Sequence, residues 1–189
     1  MRLIPTPSQT VGPYLHLGLA WLTTTDLAKN ASAGERIVVT GAVQDGDGQP
    51  IPDAILEVWQ ANAHGKYTHP EDMQDKPIDP EFSGFGRIPT DKAGRFRFVT
   101  IKPGSTPGPG NTMQAPHIAV TLFMRGMLRH LYTRIYFSAE AANSTDPTLA
   151  RIEEPARRDT LIAKRAADAP EYRWDVRMQG ESETVFFDC

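Results

Sequence analysis

A single cysteine, Cys189, stands at the end of the chain, so no intrachain disulfide can form and no internal thiol is available as a nucleophile. No apolar run approaches the roughly 18–20 residues that span a bilayer, and Met1–Ile4 is followed by Pro5, which leaves no secretory hydrophobic region. Positive charge is not in excess. Twenty Lys and Arg against 23 Asp and Glu give a formal charge of −3 and an isoelectric point near 5.9. That balance gives no reason to expect nucleic-acid or anionic-membrane binding. The lone terminal cysteine makes a cytoplasmic home the simplest expectation. The Gly/Pro-rich stretch 102–114 lacks Gly-Lys-Ser/Thr, which excludes a phosphate loop. None of the serines sits in a nucleophile elbow. Internal repeats and low-complexity tracts are absent.

What the chain has in quantity is turns. Sixteen prolines and 15 glycines among 189 residues favour many short strands over long helices, within one domain. Strand patterns run over Arg36–Val43, Ile55–Gln60, Arg95–Val99, Ala115–Arg125, Leu131–Phe137, Tyr172–Gln179 and Thr184–Phe187. Asp45-Gly46-Asp47-Gly48 reads as a hairpin turn, because it lacks the further oxygen ligands of a calcium loop. Seven or eight such strands predict a mainly β fold, a two-sheet antiparallel sandwich. Short helices are expected near 147–164: one from Asp146-Pro147, the other from Glu154-Pro155 to about Lys164. The first 22 residues, with Pro5, Pro7 and Pro13, read as an extended arm laid over another surface, ahead of a single domain over 23–189. Residues 62–87 form a long loop, of the kind that is commonly functional.

Chemistry concentrates in Ala115–Arg125. Ile118, Val120, Leu122 and Met124 fall on one face and belong to a core. His117, Ala119, Thr121, Phe123 and Arg125 fall on the other, a face that begins with an imidazole and ends with a guanidinium. Two imidazoles presented to one metal along a strand sit two residues apart, roughly 6–7 Å; here the second position is Ala119. Arg125 is eight residues from His117, about 26 Å along a straight strand. It therefore suits a neighbouring chain's site, where a guanidinium pairs with a carboxylate, or is a plain surface arginine beside Gly126. Tyr67 serves as a ligand or as a loop anchor bonded through its hydroxyl, and His117 as a ligand or a half-buried strand histidine. His64, Tyr67 and His69 lie together in the long loop, with no carboxylate or thiolate at matching spacing.

With Gly65-Lys66-Tyr67 and Lys102-Pro103-Gly104, these residues resemble the intradiol ring-cleaving dioxygenases. The likeness runs from Thr6-Pro7-Ser8-Gln9-Thr10 to Glu183-Thr184-Val185-Phe186-Phe187-Asp188 and implies the same sandwich. Iron-binding chains of that family hold ferric iron with Tyr, Tyr and His-x-His. Tyr67 matches the first tyrosine and His117 the first histidine. No tyrosine lies between Pro103 and Pro116, and Ala119 replaces the second histidine. The resemblance thus implies a chain with no metal and no catalytic residue of its own, keeping Tyr67 and His117 as vestigial ligand positions. Its partner would be a homologous chain that binds Fe(III) through Tyr, Tyr and His-x-His, within a higher hetero-oligomer. Thr10, Gly12 and Pro13 of the arm and Arg125 of the strand would be lent to the partner's substrate pocket. The implied reaction, part of aromatic catabolism, is cleavage of 3,4-dihydroxybenzoate by dioxygen to 3-carboxy-cis,cis-muconate. Two alternatives stand beside it: a self-sufficient intradiol enzyme whose divergent iron site uses His64 or His69, and a non-enzymatic sandwich scaffold.

Overall fold

The computed structural model describes residues 17–18, 20–31 and 33–188. Eleven strands occur there: β1 (Arg36–Gln44), β2 (Ile55–Trp59), β3 (Phe85–Pro89), β4 (Arg95–Ile101), β5 (Thr106–Pro107), β6 (Met113–Gln114), β7 (His117–Phe123), β8 (Leu131–Phe137), β9 (Ile162–Arg165), β10 (Glu171–Arg173) and β11 (Val176–Arg177). β1 shows the driving pattern. Ile37, Val39 and Val43 are buried while their neighbours are exposed or half-covered, so one face of the strand is committed to a core.

One hydrogen-bonded path runs β11-β1-β10-β9-β8-β7-β2-β3, with β4 also paired to β1, and β5-β6 forms a separate two-stranded ribbon. The path divides at β9. Ile162 and Ala163 pair with Tyr136 and Phe137 of β8, whereas Lys164 and Arg165 pair with Arg173 and Tyr172 of β10. One sheet is therefore β3-β2-β7-β8 and the other β10-β1-β4, with β9 shared between them. Their inner faces meet in a single core that includes Ile37 and Val39 of β1, Phe98 of β4, Val58 of β2, Val120 of β7 and Phe137 of β8. The mainly β expectation holds. The pairing is mixed, however: β1 runs parallel to β10 and β11, and β8 runs parallel to β9. Alternation of apolar residues sets which face is buried and says nothing about strand direction.

Several expected boundaries shift. Glu154-Pro155 does begin a helix, but α1 (Pro155–Asp159) ends after five residues. The following Leu161 and Ala163 are fully buried, so the chain extends into β9 instead of making another turn. The stretch from Asp146 holds only a 3₁₀ turn at Leu149–Arg151. Tyr172–Gln179 is broken at Trp174-Asp175 into β10 and β11. Thr184–Phe187 makes no strand and contributes one bridge, Phe187 to Tyr132. β3 begins inside what reads as loop and runs two residues past it, since Gly86 and Pro89 hide it. It is an edge strand, where a proline is tolerated.

Of the expected arm, Thr10, Gly12 and Pro13 lie outside the described residues. Its described end carries a 3₁₀ turn at Ala20–Leu22, with Trp21 exposed. Among the described residues no helix is long and apolar enough to cross a membrane.

Candidate functional site

The outer face of β2, β7 and β8 carries the residues singled out from the sequence. Trp59, Ala119 and Arg134 are register partners across the three strands, and His117 pairs with Tyr136. Partners in register project to the same side, so the row Trp59–Ala119–Arg134 is flanked by His117, Tyr132 and Tyr136. At this end of β7 both faces are covered: His117, Ile118, Ala119 and Val120 are all buried.

The long loop supplies Tyr67, and buried polar side chains order that loop. Asn62 accepts from the backbone N–H groups of His64 (2.9 Å) and Lys66 (3.1 Å), and its amide donates to the Pro77 carbonyl (2.9 Å). The Tyr67 N–H donates to Asp72 Oδ2 at 2.7 Å. Gly65 turns with φ +77°, and a Cβ there would lie 1.9 Å from the Ser105 carbonyl oxygen. Only glycine permits both the turn and that approach. The result is Tyr67 stacked on Trp59, ring centroids 5.8 Å apart at 17°. Burial raises the phenol's pKa, against the lowering effect of Arg134. A cleft of about 640 Å³ opens beside this pair, between Trp59, Tyr67, Asp72, Thr106 and Pro107. Another, of about 500 Å³, lies over the opposite sheet at Thr40, Arg95 and Arg173. It holds none of the predicted site residues, and Arg95 and Arg173 are already paired with Asp91 and Asp175.

His117 is buried at 4 % exposure, and its Nδ1–H donates to the Ala115 carbonyl at 2.8 Å. That bond fixes the tautomer and leaves Nε2 as the acceptor nitrogen. Burial, reinforced by the Arg134 charge, pushes the imidazole pKa down to about 4 from an ordinary 6.5. Below neutrality the unfolded chain then binds more protons than the folded one, so stability rises with pH. The contribution is complete above pH 6.5 and is lost as pH falls toward 4, at about 1.4 kcal/mol per unit. Denaturant melts of His117→Gln, compared with wild type over that range, are expected to remove this slope. An identical pH dependence would mean that the ring is not held neutral.

Arg134 is anchored at several points. Nη1 donates to Gln114 Oε1 (2.5 Å), Tyr136 Oη (3.3 Å) and Thr148 Oγ1 (3.3 Å). Behind it sits Asp146, fully buried. It accepts from the N–H groups of Ala115, Thr148 and Leu149, each at 2.8 Å, and from the Tyr136 hydroxyl at 3.2 Å. Burial lifts the Tyr136 phenol to about 12.

Arg125, just past the far end of β7, is exposed, and its Nε lies 2.9 Å from Asp53 Oδ2. Gly126 beside it has φ +87° with open space around it, which makes it a turn glycine and not a point of close backbone approach. His64 and His69 are exposed, and the His69 Nδ1 accepts from the Glu71 N–H at 3.2 Å. Among the described residues no three His, Cys, Asp or Glu side chains gather as a metal-holding group.

Residues 12–180 match the protein family described as dioxygenase. The chain is 45% identical, over all of its length and 98% of the relative's, to the protocatechuate 3,4-dioxygenase alpha chain of Pseudomonas putida. The chain belongs to the intradiol dioxygenase family. It is 41% identical to the protocatechuate 3,4-dioxygenase beta chain of Burkholderia cepacia, over 84% of this chain and 73% of that one. Among solved structures it resembles the dioxygenase domain of a carbohydrate-binding fusion from Streptomyces sp. SirexAA-E, with TM-score 0.63 and 26% identity over 96% and 100% of the two chains. As an intradiol dioxygenase chain it is part of an oxidoreductase that uses dioxygen.

Set against that family, Tyr67 and His117 do come to one face, with Ala119 at the centre of the row that His117 flanks. Arg125 does not join them. Sequence reasoning missed Asp146 and the central place of Arg134. The Tyr132-x-Arg134-x-Tyr136 alternation was the visible signal; that Arg134 lies across from Ala119 depends on a long-range register.

Proposed function

We propose that this chain is the iron-free alpha subunit of a cytoplasmic protocatechuate 3,4-dioxygenase, working with a homologous beta chain that carries Fe(III) on Tyr, Tyr and His-x-His. The observation that carries this is the donor set. Of the four ligand positions the family uses, Tyr67 and His117 remain, Ala119 offers no donor atom, and no tyrosine lies between Pro103 and Pro116. The residues present do not fit a resident ferric ion. Tyr67 and His117 fill only two of the four ligand positions, and the guanidinium they face carries a charge of the wrong sign. The near-complete match to an alpha chain supports the same assignment.

Ring cleavage of 3,4-dihydroxybenzoate to 3-carboxy-cis,cis-muconate is then the partner's chemistry. This chain contributes binding and orientation. Arg125 supplies the cation for the substrate carboxylate, Thr10 a hydroxyl, and Gly12 and Pro13 the wall beside the ring. Their effect is positional: a ring held in one orientation reacts faster because less freedom is lost on the way to the transition state. The test is expression of the chain alone and with its partner. Alone, it is expected to carry no stoichiometric iron and to cleave no catechol; together, the pair should show iron, the tyrosinate–iron absorption band and ring cleavage. An isolated chain with one equivalent of iron and catechol cleavage would establish the self-sufficient enzyme instead. A pair whose cleavage is indifferent to this chain would establish the scaffold.

A further inference from the structure

We infer that the Arg134 guanidinium stands where a metal cation would otherwise stand between Tyr67 and His117, and that this fixed charge, not the missing histidine alone, keeps the site free of iron. The inference leans on the alpha-subunit reading only in taking an iron-bearing partner to be present.

The geometry is specific. Ala119 and Arg134 are cross-strand partners, so the space vacated by a larger side chain at position 119 is faced directly by the arginine. On the other flank of Ala119 stands Trp59, its register partner in β2, carrying Tyr67 stacked on its ring. Along β8 the arginine is bracketed by Tyr132 and Tyr136, and Tyr136 is the cross-strand partner of His117. The guanidinium thus sits among three phenols and an imidazole, and its charge acts on Tyr67, Tyr132, Tyr136 and His117. It cannot swing aside without losing bonds: Nη1 is held by Gln114, Tyr136 and Thr148 from three separate segments. The buried Nε has no hydrogen-bond partner among the described residues.

The chemistry follows from what a guanidinium is. It stays protonated at any pH the protein survives and presents only donors. The hydroxyls around it are therefore asked to accept, whereas a ferric ion needs phenolates and lone pairs aimed at itself. A ferric ion and a guanidinium facing the same ligands repel, and burial weakens the screening that would relieve them. Meanwhile the imidazole remains metal-competent, since its Nδ1–H is tied to the Ala115 carbonyl and Nε2 is the acceptor. Restoring a histidine at 119 would complete His-x-His yet leave the cation in place.

That separates the two causes. Three variants of the alpha subunit, each in complex with its beta partner, are titrated with ferric nitrilotriacetate, counting iron above the wild-type pair: Ala119→His, Ala119→His with Arg134→Gln, and Ala119→His with Arg134→Lys. The expected result is about 100-fold tighter binding of the extra iron in the Gln double variant than in Ala119→His. A second tyrosinate–iron band should accompany it. The Lys variant, which keeps the charge, should behave as Ala119→His does. Ring cleavage at the partner's site should persist in all three, showing that they fold and assemble. If the Gln variant does not assemble, Arg134→Met in the same background replaces it. Extra iron in Ala119→His alone, no gain from removing the charge, or equal binding by Lys and Gln would each overturn the inference. A wild-type pair that already holds two equivalents of iron would overturn the alpha-subunit reading instead.

Discussion

Replacing Arg125 with alanine is expected to raise the KM of the two-chain enzyme for 3,4-dihydroxybenzoate by about 30-fold to a few thousand-fold, the range that follows from leaving a buried carboxylate without its cation. In the isolated chain this side chain is 69% exposed and its ion pair with Asp53 is a surface contact, worth less than about 1 kcal/mol to folding. The variant should therefore melt like wild type, so a change in KM reports binding and not collapse. Catechol, which lacks the carboxylate, supplies the control: its cleavage should be nearly indifferent to Arg125→Ala. A KM that does not move sinks the role given to Arg125. An equal loss on catechol would show that the arginine acts on the interface between the chains and not on the substrate acid.

The second large effect is structural. Asp146→Ala is expected to destabilise the chain by about 4 kcal/mol, lowering Tm by roughly 8–16 °C. Its carboxylate is fully buried and satisfies three backbone N–H groups, those of Ala115, Thr148 and Leu149, together with the Tyr136 hydroxyl. Alanine leaves those donors buried without acceptors, and that penalty exceeds what the lost bonds themselves contributed. Asp146→Asn should lie between, because one amide oxygen can still accept from Thr148 and Leu149 while its NH₂ meets the Ala115 N–H donor to donor. Thermal or denaturant melts of the three proteins check the order. A wild-type Tm for Asp146→Ala would mean that water reaches this carboxylate's place.

The sequence made the apolar skeleton legible because a strand buried on one side must alternate. Ile37, Val39 and Val43, or Ile118, Val120 and Leu122, declare a core face without any knowledge of partners. It also made the ligand deficit legible, since Ala119 and the tyrosine-free stretch from Pro103 to Pro116 are matters of residue type alone. What it withheld was pairing. Parallel alignment of β1 with β10 and the meeting of Ala119 with Arg134 are contacts between residues far apart in the chain, and no local period encodes them. β3 was hidden for another reason. Gly86 lies where a Cβ would come within 2.6 Å of Leu27 Cδ1, so tertiary crowding forces a poor strand former into a strand. Asp146-Pro147 marks a helix start in the sequence and not a buried carboxylate, because nothing in it reveals that the Ala115 N–H and the Tyr136 hydroxyl converge on the same side chain.

The parallel pairing of β1 bears on the chain's birth. Ile37–Val43 can zip to β4 on one side soon after residue 101 is made. Its other edge waits for Glu171–Arg177. Through the synthesis of some seventy intervening residues a Val/Ile-rich strand holds out unpaired amides, which is the condition under which nascent β proteins stick to one another. For about a third of its synthesis the newborn polypeptide thus carries β1 half dressed, and chaperone demand should be set by how quickly residues 171–177 emerge.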